Sequence, residues 1–61
     1  MKLRARIRLG SAVREEVFDV EGDTPTKAMR AVEALIRERN AHLPVDSREV
    51  LLAAAPLRAR S

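Results

Sequence analysis

Lys2, Arg4, Arg6 and Arg8 occupy every second position near the start of the chain. On an extended strand, residues two apart share one face and stand about 6.8 Å from each other. That spacing is comparable to successive phosphates along an extended nucleic-acid strand. A row of four cations could hold such a backbone without reading its sequence. In the hairpin read below, Lys2 falls opposite Asp19 and Arg6 opposite Glu15, whereas Arg4 and Arg8 face Val17 and Val13. Arg4 and Arg8 are therefore the strongest candidates for anion contact, with Arg58 and Arg60 near the C-terminus as further ones. A second basic group, Arg37, Arg39, His42, Arg48, Arg58 and Arg60, follows the end of a helix, where the dipole already favours cations.

Other chemistries are poorly supplied. Cys is absent, which excludes disulfides and thiolate metal sites. His42 is the sole imidazole and has no second His and no carboxylate pair at ligand spacing, so it reads as a surface loop residue. Glu15 and Glu16 are neighbours on a strand, point to opposite faces and form no acid–base pair. Ser11, Thr24, Thr26, Ser47 and Ser61 fall at turns, caps or ends, and no Ser/His/Asp set results. Gly10 and Gly22 stand alone and build no phosphate-cradling loop. A chain of 61 residues also leaves little volume for a catalytic pocket. The expectation is a protein that is not an enzyme and has no metal, cofactor or small-molecule substrate.

The elements that position these residues follow from periodicity. Residues 2 to 9 alternate polar and apolar, placing Leu3, Ala5, Ile7 and Leu9 opposite the cations, which predicts a half-buried strand. Gly10-Ser11 is a two-residue hairpin turn, and residues 12 to 21 are the return strand. The implied register puts Leu3 against Phe18 and brings the opposite charges Lys2–Asp19 and Arg6–Glu15 together. It also puts Arg14 and Glu16 on the core side, which is reasonable only if they lie beyond the helix's cover, near the turn. Thr24 caps a helix with Pro25 at its first position. The helix runs to about Arg39 or Asn40, with Ala28, Met29, Val32, Leu35 and Ile36 as its apolar stripe and Glu33–Arg37 as an i,i+4 pair. Asn40 reads as a left-handed cap, and Pro44 prevents continuation. A third strand spans Arg48 to about Ala54, with Ala53-Ala54-Ala55 leaving helix open by propensity.

The predicted fold is α+β, a single ββαβ domain over residues 1–56 with a short basic tail over 57–61. Its mainly antiparallel sheet has order 3-1-2 and one helix on one face. Residues 45 to 47 are loop. No apolar run reaches the roughly 18 residues of a membrane span, and the expected location is the cytoplasm.

Composition narrows the function. Net charge is +3 with 34% charged residues, a small excess for a protein that coats DNA. The sole aromatic residue, Phe18, faces the core, so the open sheet face cannot stack bases. Burying about 3,500 Å² of apolar surface gains about 90 kcal/mol, and ordering so short a chain costs about the same. Self-association is the remaining route to stability. Val13 and Val17 lie on the open face, and Leu51 or the Val50/Leu52 pair must join them; Val13, Val17 and Leu51 are the candidate interface. The leading expectation is a binding module acting by protein–protein contact, as a homodimer through its open sheet face or edge. The alternatives are an RNA or DNA backbone binder using the Lys2/Arg4/Arg6/Arg8 row, and a small, phage-encoded regulator of a larger host complex.

Overall fold

A computed structural model describes residues 1–57 of the chain. The elements run β1 (Lys2–Leu9), β2 (Ala12–Asp19), α1 (Pro25–Asn40), a 3-10 turn over Val45–Ser47 and β3 (Val50–Pro56). The sheet order is β2-β1-β3, with β1 central and antiparallel to both neighbours. This is the α+β architecture and strand order that the periodicity predicts.

Strict alternation makes β1 amphipathic: Leu3, Ala5 and Ile7 are buried while Lys2, Arg4, Arg6 and Arg8 are exposed. Gly10 turns the chain with φ 63°, a left-handed conformation that glycine adopts without a Cβ clash. The two-residue turn sets the register, with Leu3 paired to Phe18, Arg4 to Val17, Arg6 to Glu15 and Arg8 to Val13. β2 ends at Asp19 rather than residue 21. Pairing nevertheless continues one step further: the Val20 N–H donates to the Met1 carbonyl at 3.0 Å, and the Met1 amino group donates to the Val20 carbonyl at 2.6 Å.

Thr24 Oγ1 accepts the Lys27 N–H at 3.3 Å, closing the helix N-terminus as expected of a cap. Gly22 lies against this first turn with φ 152°, and a Cβ there would stand 2.8 Å from the Ala28 nitrogen. The buried line of α1 is Ala28, Val32, Ile36 and Asn40, an i,i+4 row laid on Leu3, Ala5, Ile7, Phe18 and Val20. That stripe is narrower than predicted, since Met29 is only partly buried and Leu35 is 45% exposed. A single helix rests on the sheet along one ridge, so residues to either side of the ridge stay near solvent. The i,i+4 ion pair that forms is Asp23–Lys27 at 3.2 Å, and Glu33–Arg37 is not within bridging distance.

Three expectations are corrected in the C-terminal half. Asn40 is not a left-handed cap: no non-glycine residue among those described has positive φ, and Ala41 closes the helix in right-handed geometry. β3 begins at Val50 instead of Arg48 and runs through Pro56. The residue that shifts it is Leu52. Arg6 pairs with Ala53 and Ile7 with Leu51, so Leu52 is the extra residue of a β-bulge. Finally, Leu57 is not yet tail, because its N–H donates to the Lys2 carbonyl at 2.9 Å. That bond makes Lys2–Leu57, Arg4–Ala55 and Arg6–Ala53 the bonded pairs of an alternating antiparallel ladder. Pro56 then falls where its missing N–H would point away from β1, so the sheet loses no bond. The rest of the predicted tail, with Arg58 and Arg60, lies outside the described residues.

Candidate functional site

The helix covers one face of the sheet and leaves the other bare. Along the middle of the bare face run Lys2, Arg4, Arg6 and Arg8, all exposed. Their neighbours on β2 are Asp19, Val17, Glu15 and Val13, and on β3 Arg4, Arg6 and Arg8 stand beside Ala55, Ala53 and Val50. Long arginines beside short alanines leave a shallow open depression of about 600 Å³, lined by Arg4, Arg6, Glu15, Ala53 and Ala55 among others.

Charge pairing on this face is sparse. Arg6 reaches Glu15 at 3.9 Å, as the register predicts. The predicted Lys2–Asp19 pair does not form: the Met1 amino group lies 3.9 Å from Asp19. Among the described residues, Lys2, Arg4 and Arg8 have no carboxylate within 4.0 Å. Two carboxylates therefore stand beside four cations in this row, and one of the two is engaged by the chain's amino group.

The apolar candidates are arranged differently from the sequence expectation. Val13 and Val17 are 52% and 53% exposed, as predicted. Leu51 is not on this face. It pairs with Ile7 and packs against the core, because the bulge places it on the helix side. Val50, opposite Arg8, and the bulged Leu52 are the large exposed apolar residues of β3. The cation row separates Val13 and Val17 from Val50, so the face carries no continuous apolar patch.

The two sheet edges differ in composition. The Met1–Val20 bonds fix the alternation of the hairpin, so β2 turns the main-chain groups of Val13, Glu15, Val17 and Asp19 to its free edge. That edge is studded with Glu15, Glu16, Arg14 and Asp19. β3 turns Ala54 and the Pro56 carbonyl outward, and no residue from Val50 to Pro56 carries charge.

On the helix side, an ionic cluster joins three elements. The Arg39 guanidinium donates to both Glu16 oxygens at 2.9 Å and to Glu49 Oε1 at 2.7 Å. Its Cζ also lies 5.5 Å from the centroid of the Phe18 ring. Arg14 bridges Glu16 at 3.2 Å and also bonds Glu49. Asn40, 3% exposed, donates to the Ile36 carbonyl at 2.6 Å and to Glu49 Oε1 at 3.0 Å, and its Oδ1 accepts the Glu49 N–H at 3.1 Å. These bonds hold the Glu49 carboxyl down at about 2, first through Asn40 and then through Arg14 and Arg39. The Glu16 carboxyl is likewise lowered, chiefly by its bonds from Arg39. Both guanidiniums are driven further toward the charged form, Arg39 foremost by Glu16 and Arg14 foremost by Glu49.

Arg14 stays exposed and Glu16 half-buried, in keeping with their place near the turn, but they are not without partners: Arg39 of the helix end reaches Glu16, and Glu49 reaches Arg14. Glu49 and Asn40 were missed, although a signal was present: Asn40 continues the i,i+4 row of Ala28, Val32 and Ile36. Of the second basic group, Arg58 and Arg60 lie outside the described residues, and the other four have separate roles. Arg39 belongs to the cluster, and Arg48 donates to the Leu43 and Ala41 carbonyls at 2.8 and 3.1 Å, tying down the helix exit. Arg37 and His42 are exposed. Among the described residues, no group of three or more His, Cys, Asp or Glu could hold a metal, and no helix is long and apolar enough to cross a membrane. No protein-family model matches the chain, and no curated protein or solved structure matches it either.

Proposed function

We propose that the protein is a non-catalytic binding module acting through protein–protein contact, as a homodimer joined along the free edge of β3. The observation that carries this reading is the uncharged edge from Val50 to Pro56. Natural edges are blunted by charge, proline or bulges; β3 has no charge, and its bulge at Leu52 and Pro56 leave Ala53–Ala55 between them as the stretch open to pairing. Self-pairing of β2 sets Glu15 against Glu15, Glu16 against Glu16 or Glu15 against Asp19; the one favourable match, Arg14 against Glu16 beside the Glu15 pair, would draw on two residues already held in the ionic cluster. A two-fold axis at Ala54 of β3 sets Ala54 against its own copy and Ala53 against Ala55 of the second copy, with no charge opposed. The eight buried apolar residues of the core make a small store of stability, which association would supplement.

The test is the mass of the purified chain by sedimentation or light scattering, against 6.8 kDa for one copy. The expected result is a dimer that Ala54→Pro converts to a monomer, because the proline removes only an outward-facing N–H. Ala53→Asp/Ala55→Asp and Ala53→Lys/Ala55→Lys should each be monomeric alone and recover the dimer when mixed. A wild-type monomer refutes the proposal. A dimer that survives Ala54→Pro but is split by Val17→Asp would move the interface to the sheet face.

A further inference from the structure

We infer that the bare sheet face is a binding site for the phosphate backbone of single-stranded nucleic acid, gripped by Arg4 and Arg8 with Lys2 and Arg6 between and beside them. The inference uses different residues from the dimer edge and does not require it. Three features of the face carry it.

The first is charge without a partner. On the opposite face Arg14 and Arg39 find carboxylates at 2.7 to 3.2 Å, whereas Arg30 and Arg37, unpaired among the described residues, stand on the helix and belong to no row of cations. Arg4 and Arg8 sit beside valines and, on the other side, beside Ala55 and Val50. Their forks are therefore open to an anion, and phosphate oxygens fit a guanidinium bidentately. Glu15 engages Arg6, which makes the two flanking arginines the stronger contacts.

The second is spacing. The four cations lie on one strand, about 6.8 Å apart, so they meet successive phosphates of an extended strand at matching intervals. A row on one strand also stays on one face of the sheet, turning only with the strand's twist. Among the described residues this face is built from strands alone, and a flexible single strand can lay its backbone along the row.

The third is what the face lacks among the described residues. Phe18 is buried on the other side and no aromatic replaces it here. The contact is thus to backbone alone, tolerant of sequence and sensitive to salt. With four phosphates engaged, affinity for a single strand should fall about 50-fold between 50 and 200 mM salt, and with two engaged about 7-fold.

The experiment is fluorescence anisotropy of a labelled 20-nucleotide oligothymidine with the full chain at both salt concentrations. Wild type should bind at 50 mM salt and show the steep loss. Arg4→Gln/Arg8→Gln should bind at least 10-fold more weakly at 50 mM salt and show the shallower loss. Arg30→Gln/Arg37→Gln removes equal charge from the exposed side of the helix and should stay within about 2-fold of wild type. Arg4→Lys/Arg8→Lys keeps the charge without the fork and should fall between wild type and the Gln variant, with thermal melts of all variants guarding against one that fails to fold. Absence of wild-type binding at 50 mM salt, binding indifferent to salt, or equal losses in the two Gln variants would each overturn the inference. Tighter binding to a duplex of the same length would overturn its single-strand form. Ala54→Pro should bind the strand with an unchanged face, so a failed dimer and a failed binding site are told apart.

Discussion

Two sets of arginines lie on opposite faces of one three-stranded sheet. On the helix side, Arg14 and Arg39 share Glu16 and Glu49, with Asn40 beneath them. On the bare side, Arg4 and Arg8 project from β1 between small and apolar neighbours. The side chains are chemically the same; their surroundings separate them. On the helix side the end of α1 brings Arg39 and Asn40 up to Glu16 and the largely buried Glu49, so carboxylates and donors meet even though the guanidiniums keep contact with solvent. Where nothing packs over a charge, water serves, and the charge remains available to a ligand. The cluster is thus a structural device that fastens β2, the end of α1 and the start of β3. The row makes no such fastening: among the described residues its one side-chain ion pair is Arg6–Glu15.

That contrast can be broken most forcefully at Glu49. Its side chain is 11% exposed and receives bonds from Arg14, Arg39 and Asn40. Glu49→Ala should cost about 2–3 kcal/mol, because three donors lose an acceptor at once. At about 4–8 °C per kcal/mol for a chain this small, thermal unfolding followed by circular dichroism should show a drop of 10 °C or more. A loss below about 0.5 kcal/mol would place the cluster with ordinary surface pairs.

Acid should reproduce part of that loss. In the unfolded chain the Glu49 carboxyl takes up its proton near 4.5, but in the folded chain only near 2. The stability it contributes is complete above about pH 5.5 and disappears as pH falls through 4.5 toward 2. Glu16, lowered in the same direction, adds to the slope. Denaturant midpoints measured from pH 6 to pH 2.5 should decline over that window, and Glu49→Gln should flatten the decline.

Arg39→Lys should have a smaller effect, about 1 kcal/mol, since an ammonium cannot reproduce the fork onto Glu16 or the face-on approach to Phe18. Smallest of all should be Arg4→Ala and Arg8→Ala, each within about 0.5 kcal/mol by the same melting measurement. A larger cost there would mean that the row holds the fold as the cluster does, and the distinction between the faces would collapse.

Much of this architecture was legible from residue order. Leu3, Ala5 and Ile7 alternating with cations required an amphipathic strand, Gly10-Ser11 set the register, and Thr24-Pro25 started the helix. The outward position of Lys2, Arg4, Arg6 and Arg8 followed from period two alone, and the absence of carboxylates opposite Arg4 and Arg8 followed once the two-residue turn fixed the register. These features are local: they depend on neighbours a few residues away or across one tight turn. The side of β3 on which Leu51 lies was not legible, because one extra residue, Leu52, reverses alternation and no local pattern marks it. The ionic cluster was also hidden. Arg14 and Glu49 are 35 positions apart, and Glu16 and Arg39 are 23 apart. Arg14 and Glu16 looked misplaced on the core side until the helix end was known to arrive above them. Sequence by itself determined which residues form each element and which face of the hairpin is charged. Only the tertiary structure decided which of those charges are answered, since pairing depends on what the packed chain brings within a few ångströms, whereas periodicity reports only which way a side chain points.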